Sequence, residues 1–340
     1  MQRIIIAFTI FACQLLCRVV ASADAPSCNA TLSSLRSIDT VLPRPDPFWV
    51  GDGFHVYPVF ADKAFTNHVT PMLMLDYAAP KTFPPRPDNQ PPLGVDDHPH
   101  GGVVTVTVLF QGQLEHHDST GNAGVIGPGD VQWMTSGPGI VHKEYHSKEF
   151  NAKGGTMELC QLFVNLPKKH KWDKPSYHSI EAKEIPTVAL TTQEDGTDAA
   201  KPQARVIAGE LLGVKGPANP VSPINLWDVS LPNEKTTVEI PYPANHTCMV
   251  FVRRGAVAVD QTTLNPQDLA IMMKADEKAS ILKIQVLEDA SSVLIMGGEP
   301  INEPIVSKFP FFAVNTEEEL LQIDNDFRAG KFGLESELLG

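Results

Sequence analysis

The residues best suited to chemistry in this sequence lie in two short motifs. Asp96-Asp97-His98-Pro99-His100-Gly101-Gly102 places two imidazoles at positions i and i+2. In extended backbone such residues project from one face, so both rings can reach a single ion. His142-Lys143-Glu144 repeats the spacing with an imidazole and a carboxylate. Two same-face pairs supplied by two strands can hold an ion from one side and leave other positions open for water or a ligand. Three neutral imidazoles and one carboxylate suit Fe(II), Mn, Ni, Cu or Zn better than Mg or Ca, which prefer oxygen donors. One His-x-His motif alone would be equally compatible with surface or structural histidines. Two ligand pairs framed by glycines, in a chain with 11 histidines, favour a metal centre at His98, His100, His142 and Glu144.

Such a site needs stiff strands, and the surrounding sequence is rich in them. Val103 to Phe110 is dense in β-branched residues and reads as a buried strand. Turns at Gly121-Asn122-Ala123-Gly124, Gly127-Pro128-Gly129-Asp130 and Gly137-Pro138-Gly139 delimit Val131 to Thr135 and Ile140 to Tyr145. Leu159 to Leu166 completes this set, and the proline-rich stretch from Pro80 to Pro92 reads as an extended loop. Polar residues from Gln193 to Gln203 separate a second strand-rich block, which includes Asn225 to Leu231, Met249 to Val259 and Ile281 to Leu287. Thr316 to Lys331 predicts a helix, with acidic residues in its first turn and Gly330 near its end. The pattern is all-β, with two related barrels in tandem and a short C-terminal helix. The expected limits are 37–180 for the first barrel, 181–203 for a linker, 204–300 for the second barrel and 301–340 for the tail.

Composition narrows the function classes. The 340 residues suffice for two domains of about 150 residues each. A hydrophobic share of 42% with 20% charged residues is that of a folded globular chain. The formal net charge of −13, without a Lys/Arg cluster, argues against direct nucleic-acid binding. Met1-Gln2-Arg3, the apolar run Ile4 to Cys17 and Ala21-Ser22-Ala23 have the layout of a secretory signal peptide over residues 1–23. A secreted protein with no membrane span after cleavage is therefore expected, an uncleaved anchor being the alternative. Sequons at Asn29 and Asn245 suit that route, making a glycoprotein, and Cys28, Cys160 and Cys248 are too few for a disulfide framework.

Longer motifs carry a family resemblance. His98-Pro99-His100-Gly101-Gly102, Glu115-His116-His117-Asp118-Ser119, Pro128-Gly129-Asp130 with Gln132-Trp133-Met134-Thr135, and Gly139-Ile140 followed by His142 and Glu144 resemble the pirin family of the cupin superfamily. Phe163-Val164-Asn165-Leu166, Gly297-Gly298-Glu299-Pro300 and Pro310-Phe311-Phe312-Ala313-Val314-Asn315 fit the same family, so the resemblance runs from about Ser37 to about Gly333. It implies a bicupin whose tail returns to the first barrel, with one iron, Fe(2+), held there by His98, His100, His142 and Glu144. It implies a second barrel without metal, where His246 stands alone. Ordinary cupins place a carboxylate where this chain has Val104, which would remove a partner of the ligands.

The family also resembles quercetin 2,3-dioxygenases. This implies a flavonol-like aromatic substrate and O2 as partners, with Glu144 as the catalytic residue taking a proton from the substrate's acidic hydroxyl. The alternatives are a non-enzymatic iron-binding redox sensor that acts as a transcription cofactor, and a secreted metal-binding structural protein. For the neighbouring residues the plainer readings are preferred. His116 and His117 are expected at a strand end or turn rather than as pocket-lining donors behind the ligands, and Gln161 as a core-facing amide bonded to backbone rather than a substrate contact. Lys168 to Lys174 reads as a solvated loop, and Trp133 and Phe163 as core aromatics. Asp97 could orient a ligand imidazole or simply shape a turn. N-terminal sequencing of the mature protein is expected to begin after Ala23; an intact Met1 would contradict cleavage.

Overall fold

The computed structural model describes residues 34–61, 68–87, 89–191, 200–275 and 279–333. The expected signal peptide, Cys28 and the Asn29 sequon lie outside these residues, as do 192–199 of the polar stretch. Among the described residues no helix is long and apolar enough to cross a membrane.

The first half forms two facing sheets. The larger runs in the order Ser176–Ile180, Val131–Thr135, Val103–Gln111, Gly155–Asn165, Met72–Phe83, Phe54–Phe60 and Phe48–Val50. The smaller runs Gly94–His100, Ile140–His146, Leu114–Asp118 and Ala123–Ile126. Because side chains alternate along a strand, each strand of the larger sheet serves two environments. Val104, Val106 and Val108 join Trp133, Cys160 and Leu162 in a core shared with Met249, Phe251, Leu269 and Met296 of the second half. Leu109 and Leu159 face the other way and close one end of the first lumen with Phe54, Leu114, Ile126 and Phe150. Val104 thus lies on the face turned from the lumen, and an acid there would not support the histidines.

The second half repeats this arrangement. Thr187–Ala189, Gln203–Ala208, Ile224–Leu231, Ser291–Gly298, Thr247–Arg254, Leu269–Met272 and Ile38–Leu42 form one sheet. The other contains Ser34–Leu35, Ala279–Val286, Val257–Val259 and Thr262–Leu264, with Thr237–Pro243 also paired to Ala279–Val286. Trp227, Val229, Ile240, Tyr242, Val250 and Leu282 fill this lumen with apolar volume.

Three segments sit differently from the sequence expectation. Ile38–Leu42 pairs with Leu269–Met272 and belongs to the second barrel rather than the first, and Ile38 and Val41 pack on its apolar core. Thr187–Ala189, placed in the linker, is an edge strand of that barrel with Val188 buried. Pro80, placed in a loop, lies within Met72–Phe83 at a register shift opposite Met157 and Leu159, where a missing N–H is tolerated.

The tail crosses back over the first barrel. Phe312 and Val314 of the strand Phe312–Val314, Ile323 of the helix Glu317–Arg328, and Phe332 cluster with Val141. Thr316 caps the helix by accepting from the Glu319 N–H, and Glu319 reaches back in a capping box.

Between the barrels, the fully buried Glu158 accepts from Tyr77 at 2.8 Å, Gln111 at 2.7 Å and Arg253 at 2.8 Å, and also pairs with Arg254. Burial alone would raise this carboxyl, but the adjacent Arg253 with Gln111 and Tyr77 holds it below the usual glutamate value. Its stabilising effect is therefore present above the unfolded pKa and lost as pH falls through the depressed folded value. Glu158→Gln is expected to cost about 3 kcal/mol in urea unfolding at neutral pH, because Arg253 loses its fully buried carboxylate and keeps only the more distant Asp228 at 3.4 Å. The difference from the wild type should shrink on acidification; equal stability at neutral pH would remove the network's assigned role.

Candidate metal centre

The ligand motifs meet because Gly94–His100 and Ile140–His146 are antiparallel neighbours, with His142 directly opposite His98. The ring centroids of His98 and His142 are 4.3 Å apart, and His100 lies 5.0 Å from each. One ring nitrogen from each of the three can be chosen so that all lie within 4.8 Å of one another. His98 turns Nδ1 toward the Asp96 carbonyl at 2.8 Å, leaving its Nε2 for an ion.

His100 Nδ1 and His142 Nε2 are buried and have no hydrogen-bond partner. A buried polar atom left unpaired costs about 1–3 kcal/mol, so two in one cluster call for a common partner. A metal ion supplies one, and the donor set fits it. Burial, reinforced by the other imidazoles, holds His100 and His142 well below the usual histidine pKa. Both rings therefore remain neutral, the form that offers a lone pair.

Glu144 lies on the same strand as His142, but a register shift falls between them. Its carboxylate groups with His142 and His116 rather than with His98 and His100. The four residues selected from sequence thus appear as two overlapping clusters joined at His142. Glu144 Oε1 accepts from Gln132 Nε2 at 2.8 Å and lies 3.4 Å from the Thr107 hydroxyl, which fixes one oxygen in the lumen.

His116 corrects the sequence expectation of a turn residue. Leu114–Asp118 is paired on both sides, by Ile140–His146 and Ala123–Ile126, so Leu114, His116 and Asp118 turn inward and are buried. Its Nδ1 is 3.3 Å from His142 Nδ1, Tyr177 stacks on its ring at 4.3 Å, and Asp118 lies 3.3 Å from Nε2. Burial would raise Asp118, but hydrogen bonds with His116, Thr120 and Asn122 bring its carboxyl down to about 2. His117 points outward and pairs with Glu115 at 2.8 Å. The alternating burial of Leu-Glu-His-His-Asp was the available signal: a strand places only one of two adjacent histidines inside.

The remaining candidates divide. Asp97 is exposed, and the Asp96 carbonyl, not the Asp97 side chain, orients His98. Phe163 makes an edge contact with His100 at 4.9 Å and so borders the site, whereas Trp133 is a core aromatic. Gln161 is only partly buried and meets the Thr107 hydroxyl at 2.8 Å.

The expected solvated run from Lys168 to Lys174 conceals a buried ammonium. Lys171 is 2% exposed and donates to Gly102 O at 3.0 Å, Asn165 Oδ1 at 2.6 Å and Ala313 O at 2.8 Å. The tail also exchanges two backbone bonds with Gly101, each 3.0 Å long. Gly102 has φ +73°, and a Cβ there would lie 1.9 Å from Ala313 O, so tail and ligand loop need glycine to approach.

A tandem pair of cupin barrels, the first with a histidine- and glutamate-lined lumen, defines a bicupin with one candidate metal centre. Residues 53–164 match the family described as Pirin, and residues 226–333 match the Pirin C-terminal cupin domain. A relative from Pseudomonas aeruginosa, named only provisionally as a quercetin 2,3-dioxygenase, is 42% identical over 284 residues, covering 84% of this chain and 94% of the relative. The solved quercetin 2,3-dioxygenase from Acinetobacter baumannii superposes with a TM-score of 0.81 at 40% identity, covering 88% of this chain and 99% of that one. A bacterial pirin from Escherichia coli, solved with nickel(II), shares the fold at 17% identity and TM-score 0.55, covering 77% of this chain and all 100% of its own. The chain belongs to the pirin family.

Lys171→Met retains the length of the stem but removes all three donated bonds. It is expected to lower stability by about 2–4 kcal/mol and to expose the tail to limited proteolysis. A variant with unchanged melting and unchanged cleavage would show that the ammonium does not fasten the tail.

Proposed function

We propose that this protein holds one Fe(II) between His98, His100, His142 and Glu144 and opens flavonol-like aromatic substrates with O2. The observation that carries the metal assignment is the pair of buried, unpartnered nitrogens on His100 and His142. The likeness to the Acinetobacter baumannii quercetin 2,3-dioxygenase supports the substrate class. Nickel(II) in the Escherichia coli pirin makes that ion the natural competitor to iron, because three imidazoles and a carboxylate suit both.

Bound at this site, the metal would supply a Lewis acid and a redox partner for O2. The chain's own residues supply position and proton handling. The three histidines present lone pairs from strands held in register. Gln132 donates to one Glu144 oxygen, leaving the other to accept the proton of an acidic substrate hydroxyl. Phe54, Leu109, Leu114, Ile126 and Leu159 close the lumen behind the site and exclude water from that side.

One observation favours a sensor as a second reading. The tail contacts Gly101 beside His100 and Val141 beside His142, so a change at the metal would reach an outer element of the fold. Secretion belongs to the proposal too, supported by the leader-like residues 1–23 and by the exposure of Asn245 in its turn.

Purified protein is expected to carry close to one transition metal per chain by elemental analysis. The double variant His98→Ala/His142→Ala should carry none, and full occupancy in it would reject the ligand set. Iron-loaded protein is expected to cause O2-dependent loss of flavonol absorbance, slowed at least ~100-fold by Glu144→Gln. A metal-loaded protein inert toward a flavonol panel would favour the sensor.

A further inference from the structure

Strand register places a row of polar residues across the floor of the first lumen. Gln132 lies opposite Thr107, Thr107 opposite Gln161, and Gln161 opposite Asp76, on four successive strands. Directly opposed residues share a face, and the contact from Thr107 to Glu144 shows that this face is the lumen. Beneath the row, Ala78, Leu109 and Leu159 are buried and apolar. Asp76 and Gln161 themselves are only partly buried, as is His98, so solvent reaches all three.

Three of the four members have a hydrogen-bond partner. Gln132 donates to Glu144, and Thr107 donates to Gln161 while lying 3.4 Å from Glu144. Among the described residues, the Asp76 carboxylate has neither a hydrogen bond nor an ion pair. Gln161 uses its amide oxygen toward Thr107, which leaves its NH2 group free to donate. An acceptor and a donor therefore stand side by side in a solvent-reached part of the lumen, with no group among the described residues to satisfy the acid.

We infer that Asp76 and Gln161 form the distal recognition site of the lumen and bind a second hydroxyl of a hydroxylated aromatic substrate. This rests on the proposed flavonol reading of the metal centre. Asp76 is two strands from Thr107, about 10 Å at ordinary strand spacing. A ligand that places one oxygen beside Glu144 and another at Asp76 must therefore be of fused- or linked-ring length and hydroxylated at both ends. Burial lifts the Asp76 carboxyl to about 7, so it can share a proton with a weakly acidic phenol instead of demanding a cation. A cationic ligand would also enter a lumen already intended for a metal ion.

The test is an anaerobic fluorescence titration of iron-loaded protein with two probes. Quercetin carries hydroxyls on several rings; 3-hydroxyflavone keeps the acidic enol and lacks the others. The wild type should bind quercetin at least about tenfold more tightly, the worth of one strong hydrogen bond. Asp76→Asn should remove most of that preference while iron content stays at the wild-type level and affinity for 3-hydroxyflavone changes less than about threefold. Gln161→Met, which preserves volume, should reduce the preference in the same direction and guards against a misfolded Asp76 variant. A preference that persists in both variants, or its absence from the wild type, overturns the distal site and leaves the metal-centre reading intact. Failure of iron-loaded wild type to bind either probe overturns the flavonol reading and the distal site together.

Discussion

The pairing of Gly94–His100 with Ile140–His146 is the constraint on which the site depends. With His142 opposite His98, three imidazoles converge without any loop having to be ordered first. A slip of one residue on either strand would turn its pair to the opposite face, so register and metal affinity are one property. Everything packed against these strands serves that register. Leu114–Asp118 pairs with Ile140–His146 along its free side, and the tail caps Val141 and Gly101 beside two of the histidines.

The barrel separates incompatible tasks by depth and by face. Apolar side chains close one end of the lumen, a polar row crosses the middle, and the histidines lie near the far sheet. The outer faces of Val103–Gln111 and Gly155–Asn165 meanwhile supply the apolar surface that holds the second barrel. That second barrel spends its own lumen on Trp227, Tyr242 and aliphatic packing, which makes it a rigid backing for the first. Two buried charges meet ample partners: Glu158 lies between Arg253 and Arg254, and Lys171 among three acceptors.

Much of this was legible in the residues. The His-x-His and His-x-Glu spacings, the β-branched runs and the glycine turns depend on neighbours within a few positions, and local geometry reads them directly. Motifs spread over most of the chain extended that reading to a bicupin. What escaped depended on contacts distant in sequence. His116 resembles a turn residue until the strands on both sides of it are known, and Lys171 resembles any surface lysine until Gly102 and Ala313 surround it. Val104 looked like a lost partner because the sequence does not say which sheet face meets the second barrel.

By itself the sequence determined the two-barrel, strand-rich architecture, the C-terminal helix and the residue types of the metal site, since these follow from periodicity, turn chemistry and donor identity. Only the tertiary structure decided which barrel receives Ile38–Leu42, how His116 joins His142 and Glu144, and that Asp76 faces the lumen without a partner among the described residues. Those outcomes rest on sheet register and on long-range burial. A side chain's face and its partners are set by strands that lie tens to hundreds of residues away, and no local pattern encodes them.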